Sequence, residues 1–134
     1  NSLRFGQANK IVLGKPAEAM QQLLFDDRTA VVLMTHNYNY DFAMLSELAN
    51  ANVPYIGLLG PAAKRERLFN DLADNGIHFT DVQLKNIYGP TGLDLGAETS
   101  SEIALSVCSE IMAVIEGKLP QHLRLKTTPI HASI

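Results

Sequence analysis

The sequence predicts an α/β fold: a doubly wound, mostly parallel open sheet with helices on both faces. Two observations carry that expectation. Short apolar runs, KIVLG (Lys10 to Gly14), TAVVLM (Thr29 to Met34) and VPYIGLLG (Val53 to Gly60), alternate with longer helical patterns, the order expected when right-handed crossovers join parallel strands. TAVVLM and VPYIGLLG are apolar on both faces, as strands are when helices cover both sides. A doubly wound sheet starting at KIVLG would also need a central strand, and the polar residues before Lys10 offer none.

The elements follow in order. After KIVLG, Pro16 takes a first helical position and AEAMQQLL sets Ala19, Met20, Leu23 and Leu24 on one side. The strand Thr29 to Met34 leads into a helix over Asp41 to Ala51. The strand Val53 to Gly60 leads into a charged amphipathic helix over Pro61 to Asn75, closed by Gly76 where a left-handed cap belongs. Thr80 and Gln83 have capping-box spacing for a short helix, and NIYGP (Asn86 to Pro90) is a last short strand. A second capping box, Thr99 with Glu102, opens a helix that runs to Gly117. The chain therefore divides into a domain over 1–118 and a tail over 119–134. The tail alternates apolar and basic residues from His122 to Lys126, the pattern either of an extended arm that packs on a neighbour or of a loose end.

Composition narrows the function classes. The net charge is -3 and no long run of like charge occurs, which argues against nucleic acid held by counterion release and against a polybasic membrane anchor. No stretch approaches the roughly 20 apolar residues of a membrane span, and the polar start has no signal-peptide core. The one cysteine cannot close an internal disulfide, so a reducing, cytoplasmic setting is expected. Small soluble ligands and protein partners remain.

In open parallel sheets, ligands bind beyond the carboxyl ends of the strands. Thr35 and His36 stand at the end of TAVVLM, so His36 is a candidate hydrogen-bond partner, proton carrier or ligand contact; the competing role is a loop histidine that caps backbone groups. A metal role is disfavoured, because no second His or Cys lies at a usable spacing. Gly57 and Gly60 in GLLGPAAKR either let a phosphate approach a helix start or simply permit tight packing. Lys64 and Arg65 either add charge there or form a solvated face. Asp94, in the long connection GPTGLDLGAETSSE, either meets a ligand donor group or caps its turn. Cys108, among apolar helix residues, reads as packing. The dinucleotide fingerprint GxGxxG is absent after the first strand.

Taken together, MTHNYNYD, YIGLLGPAAKRERL and YGPTGLDLGAETSSEIALSVCSEIMAV resemble the C-terminal Rossmann-like domain of the XdhC/CoxI family, the xanthine dehydrogenase accessory factors, from about Phe5 to Gly117. The resemblance implies a chaperone that transiently binds the molybdenum cofactor (molybdopterin), protects it and hands it to a molybdenum hydroxylase such as xanthine dehydrogenase, with a cysteine desulfurase as a further partner and a homo-oligomeric state. The positions that carry over by motif, as cofactor-binding candidates, are Thr35, His36 and Asp41; Gly57, Gly60, Lys64 and Arg65; and Gly92, Asp94, Gly96 and Glu98. No catalytic residue carries over. Pro61 stands where the family often has serine, which removes one N–H from an anion nest. In the family a strand, a glycine-containing turn and a helix precede the point where this sequence starts, after a small N-terminal domain. This sequence then reads either as a piece of a longer protein or as one whose missing strand is supplied by exchange between protomers. Two rival readings use the same residues: an NAD(P)- or nucleotide-binding enzyme, an oxidoreductase or nucleotidyltransferase, with His36 as general acid or base, and a structural or dimerisation module built on the last helix and tail.

Overall fold

A computed structural model describes residues 26–127. The expected strand Lys10 to Gly14 and the helix after Pro16 lie outside the described residues. The chain forms two compact units, Asn1–Thr91 and Gly92–Ile134. The boundary falls inside the glycine-rich connection that follows the last strand.

In the first unit, β1 (Ala30–Leu33), β2 (Tyr55–Leu58) and β3 (Ile87–Tyr88) form a parallel sheet in the order β1-β2-β3. Ala30 pairs with Tyr55, Leu33 with Leu58, and Ile56 with Ile87. Helix α1 (Tyr38–Leu48) joins β1 to β2, and α2 (Ala62–Asp74) with the short α3 (Asp81–Lys85) joins β2 to β3. This is the α/β parallel architecture that the alternating runs predict.

Side-chain alternation gives the sheet two different faces. Leu33, Ile56, Leu58 and Ile87 point to one side, where they meet Met44, Leu45 and Leu48 of α1 and Leu68 and Leu72 of α2 in one buried cluster. Both helices therefore cover the same face, as two right-handed crossovers stepping in one direction require. Tyr55 and Gly57 point the other way. The Tyr55 ring stacks on Tyr88 with centroids 4.5 Å apart, and its hydroxyl is hydrogen-bonded to that of Thr91. A Cβ added at Gly57 would lie 2.6 Å from Thr91 Oγ1 and 2.9 Å from Tyr55 Cε1. Gly57 is thus a packing position, and the group that approaches its backbone is Thr91.

Caps define the helix ends. Both expected capping boxes form: Thr80 with Gln83 on α3, and Thr99 with Glu102 on α4 (Ser100–Ile115). The end of α2 closes as expected, with Gly76 at φ +76° and the Ile77 N–H donating to the Leu72 carbonyl at 2.9 Å. The start of α1 differs from the expectation. The helix begins at Tyr38 rather than Asp41, because the Asn37 side chain accepts the Tyr40 N–H and serves as N-cap. Asp41 is moved one turn into the helix, onto its inward face.

The second unit consists of α4 and its flanking segments. The Gly92 N–H donates to Glu110 at 3.0 Å. The Leu93 N–H donates to the Ser106 carbonyl at 3.3 Å, and the Ser106 hydroxyl donates to the Leu93 carbonyl at 2.5 Å. Gly92 has φ +110°, and a Cβ there would lie 2.5 Å from Ser106 Oγ, so only glycine allows this loop to close on its helix. Cys108 is exposed, which corrects its reading as a packing residue. It shares a helical stripe with Leu105 and Met112, both exposed, whereas Ser106 and Val107 turn inward. In the tail, Leu123–Leu125 form one turn of 3-10 helix instead of a continuous extended arm.

Candidate functional site: the carboxyl ends of β1 and β2

A cavity of about 400 Å³ opens where β1 and β2 end, lined by Met34, Thr35, His36, Tyr38, Leu59, Gly60, Pro61, Lys64 and Arg67. It lies where the crossover rule places ligands in parallel sheets, and its volume falls in the range of roughly 300–1,000 Å³ typical of small-molecule sites.

Three of the motif residues are tied to one another beneath it. The Asp41 carboxylate is completely buried. It accepts the Thr35 hydroxyl on Oδ1 at 2.8 Å and Lys64 Nζ on Oδ2 at 2.9 Å. Lys64 Nζ also reaches the backbone carbonyls of Leu59 at 3.3 Å and Thr35 at 3.4 Å. A lysine ammonium has three donors, and here all three meet oxygens from the end of β1, the end of β2 and α1. Lys64 therefore clamps two strand ends to a helix, and its charge is neutralised by Asp41. Gly60 allows the clamp to pass. Its φ is +122°, and a Cβ there would meet Lys64 Cδ at 3.1 Å.

Helix α2 starts beside this clamp. Its N-cap, Pro61, supplies no side-chain cap; the Lys64 N–H donates to the Pro61 carbonyl at 3.0 Å, and the N–H groups of Ala62 and Ala63 are left for water or a ligand at the positive end of the macrodipole. His36 is exposed at the rim. Apolar wall is supplied by Met34, Leu59, Pro61 and the Tyr38 ring.

Tyr38 and Arg67 of the lining join Asp71 in a group that the sequence reading did not single out. The Tyr38 hydroxyl donates to Asp71 Oδ2. The Arg67 guanidinium carbon lies 3.9 Å from the centroid of the Tyr38 ring. Helical spacing was the available signal: Arg67 and Asp71 follow Lys64 by three and seven residues, so all three share one face of α2. The same spacing separates Arg65 from Lys64 by about 100° around the helix. Arg65 lies over Phe69 at 5.0 Å and lines a different groove, of about 480 Å³, with Phe69, Ile77 and Phe79.

Burial first, then the hydrogen bond to Asp71 and the charge of that carboxylate, push the Tyr38 phenol from its ordinary 10 up to about 12, with Arg67 opposing. The folded state thus holds this proton more tightly than the unfolded chain. The associated stability is fully present below pH 10 and is lost as pH rises through about 12. Titration of phenolate absorbance should include a component near pH 12 that belongs to Tyr38. Tyr38→Phe should remove that component; its survival in the variant would assign it elsewhere.

The remaining motif positions are placed separately. Gly57 lies in β2 against Thr91. Gly92, Asp94, Gly96 and Glu98 belong to the second unit. There Asp94 is exposed, Gly96 has φ +73°, and the backbone N–H groups of Glu98 and Thr99 both donate to Glu102, at 3.0 and 2.9 Å. Those two bonds, with the Thr99 hydroxyl, hold the Glu102 carboxyl below its ordinary value. Among the described residues, no group of three or more His, Cys, Asp or Glu side chains is placed to hold a metal ion. Nor is any described helix long and apolar enough to cross a membrane.

Residues 1–111 match the family model of the XdhC Rossmann domain. The chain belongs to the XdhC family. It is 34% identical over 108 residues to a Bacillus subtilis (strain 168) protein described as a probable xanthine dehydrogenase subunit, covering 81% of this chain and 30% of that protein. It is 32% identical over 102 residues to the uncharacterized protein YqeB of Escherichia coli (strain K12), covering 76% of this chain and 18% of that protein. A crystal structure of a xanthine dehydrogenase from Bacillus halodurans superposes with a TM-score of 0.71 at 26% identity, covering 87% of this chain and 33% of that one. The XdhC chain described here thus spans a third or less of each of these proteins.

Proposed function

We propose that this XdhC domain is the cofactor-holding part of a xanthine dehydrogenase accessory protein. In this reading it binds molybdopterin at the ends of β1 and β2 and releases it to a molybdenum hydroxylase. The supporting observation is that Thr35, His36, Gly60 and Lys64, four of the motif positions, line one cavity beside the uncapped start of α2. The chemistry of the lining fits such a ligand. Met34, Leu59, Pro61 and the Tyr38 ring offer a surface for a flat heterocycle, and the first-turn N–H groups of α2 offer donors to a terminal phosphate. When bound, the cofactor supplies the molybdenum-coordinating dithiolene; this chain orients and shelters it, and makes or breaks no bond. The Thr35–Asp41–Lys64 network fixes the spacing of the two strand ends. His36, at the rim, gives or accepts one hydrogen bond to the ring edge.

The test is anaerobic binding of purified molybdopterin to the full-length protein. Saturable binding is expected, weakened about fivefold by His36→Ala, the effect of one neutral hydrogen bond. No detectable molybdopterin binding, with saturable NADH or nucleotide binding in its place, would overturn the proposal in favour of an enzyme using the same crevice.

A further inference from the structure

The two cations that line the strand-end cavity have different electrostatic roles. Lys64 is saturated: its ammonium is held by Asp41 and by the carbonyls of Leu59 and Thr35. The side chain of Arg67 is 68% exposed, and the Asp71 oxygen nearest to it lies 3.9 Å from Nε, beyond hydrogen-bond distance. That oxygen already accepts the Tyr38 hydroxyl. Among the described residues, none accepts a hydrogen bond from the Arg67 guanidinium. Stacking on the Tyr38 ring instead holds the guanidinium at the cavity wall.

From this geometry we infer that Arg67, not Lys64, is the cation that contacts a bound phosphate group in the cavity, and that the Tyr38–Asp71 hydrogen bond keeps Arg67 available for it. A guanidinium presents a planar fork of N–H donors that matches a phosphate bidentately. Stacked on a half-buried ring, it loses less side-chain freedom on binding than a lone surface arginine. Asp71 would otherwise capture it, since the pair is spaced i,i+4 on α2. The Tyr38 hydroxyl competes for the facing carboxylate oxygen, and the pair stands at 3.9 Å, an ion pair without a hydrogen bond. The ligand class is a small phosphorylated molecule with a flat, largely apolar body. The inference refines the proposed function by naming the residue that takes the anionic end, and it extends to any phosphate ligand of the same cavity.

The experiment follows the Arg67 Nε–H resonance of the full-length protein by NMR during titration with inorganic phosphate and with pyrophosphate. The resonance should shift and saturate. Arg67→Gln should weaken phosphate binding about tenfold or more, the scale of a lost charge-assisted contact. Three further variants separate this role from a general effect of positive charge. Tyr38→Phe leaves every formal charge in place and frees Asp71 to pair with Arg67, so affinity should fall about threefold; Asp71→Asn should raise it. Lys64→Gln, compared per folded molecule, should change phosphate affinity less than Arg67→Gln does. Phosphate that shifts the α2 first-turn amides but leaves the Arg67 resonance still would overturn the assignment, as would an unchanged affinity in Tyr38→Phe. Molybdopterin binding that is indifferent to Arg67→Gln would overturn it while leaving the proposed function intact. Phosphate binding at Arg67 without molybdopterin binding would do the reverse.

Discussion

Lys64→Met should destabilise the folded chain by about 3 kcal/mol, the low end of the roughly 3–5 kcal/mol observed when one partner of a buried ion pair is removed. The low end applies because the Lys64 side chain keeps 24% of its surface in water, while Asp41 keeps 1%. Methionine preserves the stem that passes over Gly60 but leaves the Asp41 carboxylate buried with the Thr35 hydroxyl as its remaining side-chain partner. Asp41→Asn should cost less, about 1–2 kcal/mol, since the amide oxygen still accepts from Thr35 or Lys64 and the lysine can turn toward solvent. Urea unfolding of both single variants and of the double variant measures this asymmetry. A double variant milder than Lys64→Met alone would show that the stranded carboxylate causes most of the damage. Equal costs for the two single variants would contradict the assignment of Lys64 as a clamp.

The second large effect lies in the core. Leu68 is fully buried on α2 within the cluster that includes Leu45, Leu48, Ile56 and Leu72, so Leu68→Ala should cost about 3 kcal/mol, within the roughly 2–5 kcal/mol of such truncations. Leu68 directly follows Arg67 and lies one turn after Lys64, so the helix that carries both cations is held to the sheet at this point. Because the truncation changes packing and not the cavity lining, ligand affinity per folded molecule should stay within about threefold of the parent, less than the tenfold that 1.4 kcal/mol represents. Leu105→Ala serves as the control. Leu105 is 63% exposed on α4, and a surface truncation should fall within about 0.5 kcal/mol of the parent. A Leu68→Ala cost as small as that of Leu105→Ala would mean that α2 is not anchored by this cluster.

What the sequence made legible follows from local rules. Parallel strands leave continuous apolar runs, wholly buried in β2 and partly buried in β1, and capping boxes leave a fixed spacing, so β1, β2, α3 and the start of α4 could be read directly. The ends of α1 and the roles within the site could not. Asn37 lies among HNYNY, where nothing local marks one polar residue as the cap, and that choice decides whether Asp41 faces solvent or core. Lys64 and Arg65 look equivalent in KRER. The helix separates them, sending one to the strand ends and the other to Phe69. Gly57 looks like a phosphate-approach glycine, yet its open side meets Thr91, a residue 34 positions later whose approach depends on tertiary folding. The candidates from Gly92 to Glu98 are arranged around their own helix, where Glu102 and Glu110 take the loop N–H groups of Glu98, Thr99 and Gly92.

The central claim is that ligands of this domain sit at the carboxyl ends of β1 and β2. It is tested most directly by mapping backbone amide shifts of the full-length, isotopically labelled protein as molybdopterin is added anaerobically. The account predicts saturable shifts concentrated at Thr35, His36, Leu59, Gly60 and the first turn of α2, with Gly57 and the α4 stripe of Leu105 and Met112 unmoved. Shifts centred on the Phe69–Phe79 groove or on α4, with the strand ends silent, would contradict it.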